Sequence, residues 1–139
     1  MYISELEEYF LELGEKKFRA KQLFEAIHKQ KIKNIEDIST FSQDLKEKLI
    51  TSSEIYGVKK VLELKSKLDD TRKYLFELHD GNVIESVLMK YKYGYTVCIS
   101  TQVGCKMGCA FCASTKKGFI RNLYACEMLD EIYEIERLN

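Results

Sequence analysis

The chain has 139 residues and a mass of 16.3 kDa, with 45% hydrophobic and 32% charged residues and 22 basic side chains balanced by 22 acidic ones. That composition can bury a core and excludes a disordered chain, and the length allows one domain or one domain with part of another. No apolar run approaches the roughly 18 residues of a membrane span, and the first residues lack the basic and apolar regions of an export signal; the sequence therefore reads as cytoplasmic, with no membrane partner.

Residues 1–52 read as helical. Ser4 and Glu7 have capping-box spacing, Leu6, Tyr9, Phe10 and Leu13 make a helical stripe, and Gly14 ends it. Phe18, Leu23, Phe24 and Ile27 predict a second helix. Around it, Lys16 to Lys33 hold seven basic residues and one acid, Glu25, enough to attract an anion locally despite the zero net charge, although a solvated helix face has the same pattern. A short turn at 35–38 follows, and Ser42 caps a third helix carrying Leu45, Leu49 and Ile50.

Residues 53–90 alternate like strands. Segments 58–64, 74–78 and 83–89 are separated by Asp69-Asp70 and by Asp80-Gly81-Asn82, the pattern of an antiparallel meander. Residues 91–139 open with a strand at 95–100, pass through a loop rich in glycine and cysteine, and end in a helix from about Ala125 with the apolar stripe Met128, Leu129, Ile132, Ile135 and Leu138. The fold class is thus α+β: a small helical domain and an antiparallel β meander. Strand, loop and helix at the end look like the first β/α unit of a longer array, so the chain is expected to be truncated.

The cysteines are unevenly placed. The first 97 residues have none, whereas Cys98, Cys105, Cys109 and Cys112 fall within fifteen positions and Cys126 follows. In a reducing compartment, clustered thiols point to metal or redox chemistry. Gly104-Cys105-Lys106-Met107-Gly108-Cys109-Ala110-Phe111-Cys112 has the spacing C-x-x-x-C-x-x-C. Soft thiolates suit iron–sulfur clusters, and three of them leave one iron of a four-iron cluster open to a small molecule. Gly104 and Gly108 let the backbone turn where a Cβ would obstruct. No acid occurs from Ser86 to Cys126, which favours an anionic cluster beside Lys106. Zinc with Cys98 as a fourth ligand, and three ordinary buried thiols, remain alternatives.

The loop with Phe111 before its last cysteine resembles the radical S-adenosylmethionine enzymes. Cys98-Ile99-Ser100-Thr101-Gln102-Val103 before it, Ala113-Ser114-Thr115 and Gly118-Phe119-Ile120-Arg121-Asn122-Leu123 after it narrow the likeness. So do Phe18-Arg19-Ala20-Lys21-Gln22-Leu23-Phe24 and Gly81-Asn82-Val83-Ile84-Glu85-Ser86-Val87 upstream. Together they are similar to the enzymes that methylate carbon 2 of an adenine in 23S ribosomal RNA and in transfer RNA.

That resemblance implies an N-terminal portion leading into a partial (β/α) barrel, with residues 1–52 as an RNA-binding accessory domain, 53–90 as a β extension and 91–139 as the start of the core. It implies that Cys105, Cys109 and Cys112 hold a [4Fe-4S] cluster whose open iron binds S-adenosylmethionine. A methyl-carrying cysteine near the far end of such enzymes forms the bond to the base; Cys98 is implied to resolve that adduct through a transient disulfide, and Glu85 to accept a proton. Glu85 shares a strand face with Val83 and Val87, so burial is expected to raise its pKa, unless it stands on an edge facing water. Further implications are an electron donor such as a flavodoxin, a monomeric full-length enzyme, and no methyl transfer by the 139 residues alone. The sister family that methylates carbon 8 has a cysteine where this chain has Val103. A non-catalytic RNA- or zinc-binding module is the reading from another class.

Overall fold

The computed structural model describes residues 2–53, 55 and 57–139, which divide into two compact units, one of residues up to 55 and one of residues 57–139. The first is helical: α1 (Ile3–Glu12), α2 (Lys17–His28), a 3-10 turn (Ile35–Asp37) and α3 (Gln43–Ser52). α1 begins earlier than the Ser4–Glu7 spacing predicts, because the Glu5 carboxylate accepts the Tyr2 backbone N–H and caps the first turn. It ends as expected at Gly14, whose φ of 76° lets the Glu15 N–H reach back to the Phe10 carbonyl at 2.8 Å. Ser42 caps α3 through its hydroxyl oxygen, which accepts the Leu45 N–H at 3.4 Å.

Leu6, Phe10, Ala20, Leu23, Ala26, Ile35, Ile38, Phe41, Leu45 and Leu49 form the core of this unit. α2 presents Ala20, Leu23 and Ala26 inward. Phe18 and Ile50, which belong to the apolar patterns of α2 and α3, are exposed; the Arg19 guanidinium lies 5.0 Å from the Phe18 ring and also donates to the Thr40 carbonyl at 2.8 Å.

The second unit is a four-stranded antiparallel meander, β1 (Lys59–Lys65), β2 (Arg72–Glu77), β3 (Val83–Tyr91) and β4 (Gly94–Cys98), in that spatial order. A two-stranded ribbon, β5 (Gln102–Gly104) and β6 (Phe119–Asn122), brackets the cysteine loop, and α4 (Ala125–Arg137) follows. The strand predicted at 95–100 pairs with β3, Val87 opposite Cys98 and Lys90 opposite Tyr95, so the sheet continues across position 90.

Alternation gives this sheet two unlike faces. Tyr74, Phe76, Ile84, Ser86 and Leu88 are buried on one face, in a core shared with Val103, Leu123 and Ile135 of α4. The other face carries Lys73, Leu75, Val83, Glu85, Val87, Met89, Tyr91 and Cys98, none of them buried.

The predicted α4 stripe is half right. Ile135 is buried, but Leu129 and Ile132 are partly exposed, and the buried positions include Glu127, Glu131 and Glu134. Three carboxylates turn inward because each finds a partner: Arg121 for Glu127, Arg137 for Glu134, and Ser86 for Glu131.

Candidate active site

The cysteine loop hangs between two short strands. Gln102 opposes Asn122 and Val103 opposes Arg121, with a bulge before Gly104 and Phe119. At the pinch, the Cys105 N–H donates to the Gly118 carbonyl at 3.2 Å. Gly104 has φ +71°, and a Cβ there would stand 1.8 Å from the Gly118 carbonyl oxygen. Gly108 also has positive φ, but a Cβ on it would meet open space. The two glycines thus act differently: one permits a close backbone crossing and the other only a turn.

Within the loop, the Thr115 hydroxyl is shared between the carbonyls of Cys109 and Cys112 at 3.1 and 2.9 Å, and the Cys112 N–H donates to the Cys109 carbonyl. The Met107 N–H points at the Cys105 sulfur at 3.5 Å. The Lys106 ammonium lies 4.5 Å from the Phe119 ring centre. All five cysteines are free thiols; Cys98, Cys109 and Cys126 are exposed and Cys105 and Cys112 half-buried.

Among the described residues, no three His, Cys, Asp or Glu side chains are gathered at metal-binding range. The donor set nevertheless suits a cluster. It has three solvent-reaching thiols, an amide aimed at one sulfur, and no acid anywhere from Ser86 to Cys126. Drawing the thiols together is then part of binding, as metal sites commonly require.

Cys98 and Glu85 lie on the uncovered face of the sheet. Cys98 pairs with Val87, and Glu85 lies two residues along β3 on the same side. The expectation of a buried Glu85 fails: its side chain is 48% exposed and its carboxylate meets the Lys73 ammonium at 3.1 Å. α4 covers the opposite face, so this helix does not remove Glu85 from water.

The most deeply buried acid among the described residues is Glu131. It accepts bonds from the Ser86 hydroxyl and from the Ser100 N–H at 3.0 Å, its other oxygen has no partner, and burial raises its pKa against those two bonds. Ser100 in turn donates its hydroxyl to the Glu85 carbonyl at 2.8 Å. Glu131 therefore ties β3 to the junction between Cys98 and the cysteine loop. Its signal in the sequence is its place four residues after Glu127 and four before Ile135, on the inward side of α4.

Arg121 is likewise committed to structure and not left to face an anion. It makes two 2.8 Å bonds to Glu127 and one to Asp80. The bonds from Arg121 hold Glu127 below its ordinary pKa against burial. Burial alone would raise Asp80, but the Asn82 and Arg121 bonds outweigh it and bring it down to about 2. The clamp joins the β2–β3 turn, β6 and the first turn of α4, holding the outgoing end of the cysteine loop.

This arrangement belongs to a known class. A crystal structure of a radical SAM methyltransferase from Sphaerobacter thermophilus matches with a TM-score of 0.88 at 35% identity, covering 99% of this chain and 40% of that one.

Residues 1–55 match the family model described as "Ribosomal RNA large subunit methyltransferase N-terminal domain". Proteins named "Probable dual-specificity RNA methyltransferase RlmN" are 50% identical over 136 residues in Finegoldia magna (98% of this chain and 39% of that protein), 54% over 130 in Alkaliphilus metalliredigens (94% and 37%) and 44% over 137 in Bacillus cereus (99% and 38%). Over nearly its whole length the chain is similar to RlmN proteins, and its first 55 residues match the N-terminal domain described for the ribosomal RNA large subunit methyltransferases. It spans about two fifths of the length of the curated relatives it matches.

Proposed function

We propose that the chain is the N-terminal portion of an enzyme that methylates carbon 2 of an adenine in 23S ribosomal RNA and in transfer RNA, working in the cytoplasm. The observation that carries this reading is the three-thiol loop, pinched at Gly104, beside an open sheet face that presents Cys98 and Glu85 together. Cys105, Cys109 and Cys112 would hold a [4Fe-4S] cluster, which would supply the electron that cleaves S-adenosylmethionine; an electron carrier of the flavodoxin kind would be the partner.

The remaining steps fall to side chains of this chain and of the longer protein. Glu85, paired with Lys73 at 3.1 Å, accepts a proton from the base. The Cys98 thiolate attacks the sulfur of the methyl-carrying cysteine and breaks its bond to the methylene carbon on the base; that carbon takes up a proton to become the methyl group, and a disulfide remains. The partial barrel is completed by residues beyond these 139, where the methyl-carrying cysteine also lies. The 139 residues alone hold the cluster but do not turn over, and the full-length enzyme is monomeric.

The test uses the longer protein. With Cys98→Ala, RNA accumulates covalently attached to the enzyme and product falls by at least about a hundredfold, while cluster content is unchanged. Mass spectrometry places the methyl group of the wild-type product on carbon 2. Methylation at carbon 8, or full turnover by the Cys98→Ala protein, overturns the reading.

A further inference from the structure

We propose that the tip of the β3–β4 hairpin is a stacking platform for unpaired RNA bases, built from Tyr91 and Tyr93. The proposal rests on the RNA-methylating reading and adds where the RNA lies. Aromatic residues at strand ends are ordinarily core, yet Tyr91 and Tyr93 are 47% and 79% exposed. Their rings stack on each other at 5.2 Å with an interplanar angle of 11°. Stacked rings that expose this much surface leave an outer aromatic face open, which is what a base needs.

Strand register places the platform with the catalytic candidates. Tyr91, Met89, Val87 and Glu85 share a sheet face with Cys98. The tip lies about 13 Å along β4 from Cys98, at roughly 3.3 Å per residue, a span of about two nucleotides. Tyr95 is excluded, because it pairs with Lys90 on the α4 side and lines a groove with Leu88, Val97 and Ile132.

The local charge suits a nucleic acid. Lys92 is exposed in the turn itself. Lys90 lies beside it, with its ammonium on Asp70 at 2.8 Å. Asp69 and Asp70 both lie at this end of the sheet; Lys90 balances Asp70, and Asp69 accepts the Thr71 N–H at 3.0 Å. A single strand engages both features at once, its phosphates on Lys92 and its bases on the rings. A duplex keeps its bases stacked internally and gains only the charge contact.

The test is anisotropy of a labelled single-stranded RNA dodecamer and of a duplex of the same sequence, titrated with the 139-residue chain at 150 mM salt. Tyr93→Ala should weaken single-strand binding about tenfold or more, Tyr93→Phe should leave it near wild type, and neither should change duplex binding. Both variants should retain the wild-type thermal midpoint and iron content. Single-strand binding that is absent, or is unaffected by Tyr91→Ala and Tyr93→Ala, overturns the platform. So does concentration-dependent self-association lost in Tyr93→Ala without any RNA effect, which assigns the rings to a protein contact. The two readings fail separately. A chain that loads no iron but binds RNA through Tyr93 keeps the platform and loses the enzyme; one that loads iron but ignores the tyrosines does the reverse.

Discussion

Replacing Gly104 by alanine should damage the cysteine loop far more than the same change at Gly108. Both glycines have positive φ, so either alanine meets the left-handed penalty of about 1–2 kcal/mol. Only at position 104 does the new Cβ meet backbone, 1.8 Å from the Gly118 carbonyl oxygen. Restoring ordinary contact at 3.4 Å means moving that carbonyl by about 1.6 Å. This breaks its bond with the Cys105 N–H, worth about 1 kcal/mol, and strains the packing by about 1–3 kcal/mol. Gly104→Ala should therefore cost about 3–6 kcal/mol in total and Gly108→Ala about 1–2 kcal/mol. Urea denaturation followed by tyrosine fluorescence and circular dichroism measures both, and anaerobic iron loading reports the loop directly. Gly104→Ala should load less than half the wild-type iron. Equal losses in the two variants would refute the close-crossing argument.

Four further outcomes follow from α4 and from the clamp that joins it to β6 and the β2–β3 turn. Glu131→Ala leaves the buried Ser86 hydroxyl unpaired and should destabilise by about 2–5 kcal/mol, whereas Glu131→Gln keeps both acceptor bonds and should cost less in the same thermal melt. Burial, with Glu127 and Glu134 adding to it against Arg137, raises Asp130 from 3.8 to about 6, so the folded state holds its proton longer and stability should fall as pH climbs through that window; Asp130→Asn should flatten that part of a stability–pH profile. Asp80, lowered from 3.8 to about 2, has the opposite sign: its contribution is complete above 3.8 and is lost as pH falls towards 2, an effect Asp80→Asn should abolish. Arg121→Lys should cost about 1–3 kcal/mol in thermal or chemical melts, since one ammonium cannot hold both Glu127 oxygens and Asp80.

The parts legible in the sequence are those fixed locally. Gly14 and Ser42 end and begin helices through bonds to residues a few positions away, and alternation locates β1 to β4 within a few residues. β5 and β6 escaped because strands of three and four residues carry no measurable period. Alternation puts Glu85 with Val87 correctly, but it does not decide which face a helix covers, and α4 took the other one. Glu131 reads as a solvent-facing charge until Ser86, 45 residues away, is seen to bond it. The spacing of Cys105, Cys109 and Cys112 is legible, whereas among the described residues the three thiols are not gathered at metal-binding range.

The most direct test of the account is the iron and acid-labile sulfide content of the chain after anaerobic reconstitution, with a Cys105→Ala/Cys109→Ala/Cys112→Ala variant alongside. The account predicts about four irons and four sulfides per chain in the wild type and neither in the variant. One tightly held zinc without sulfide, or equal loading of the variant, contradicts it.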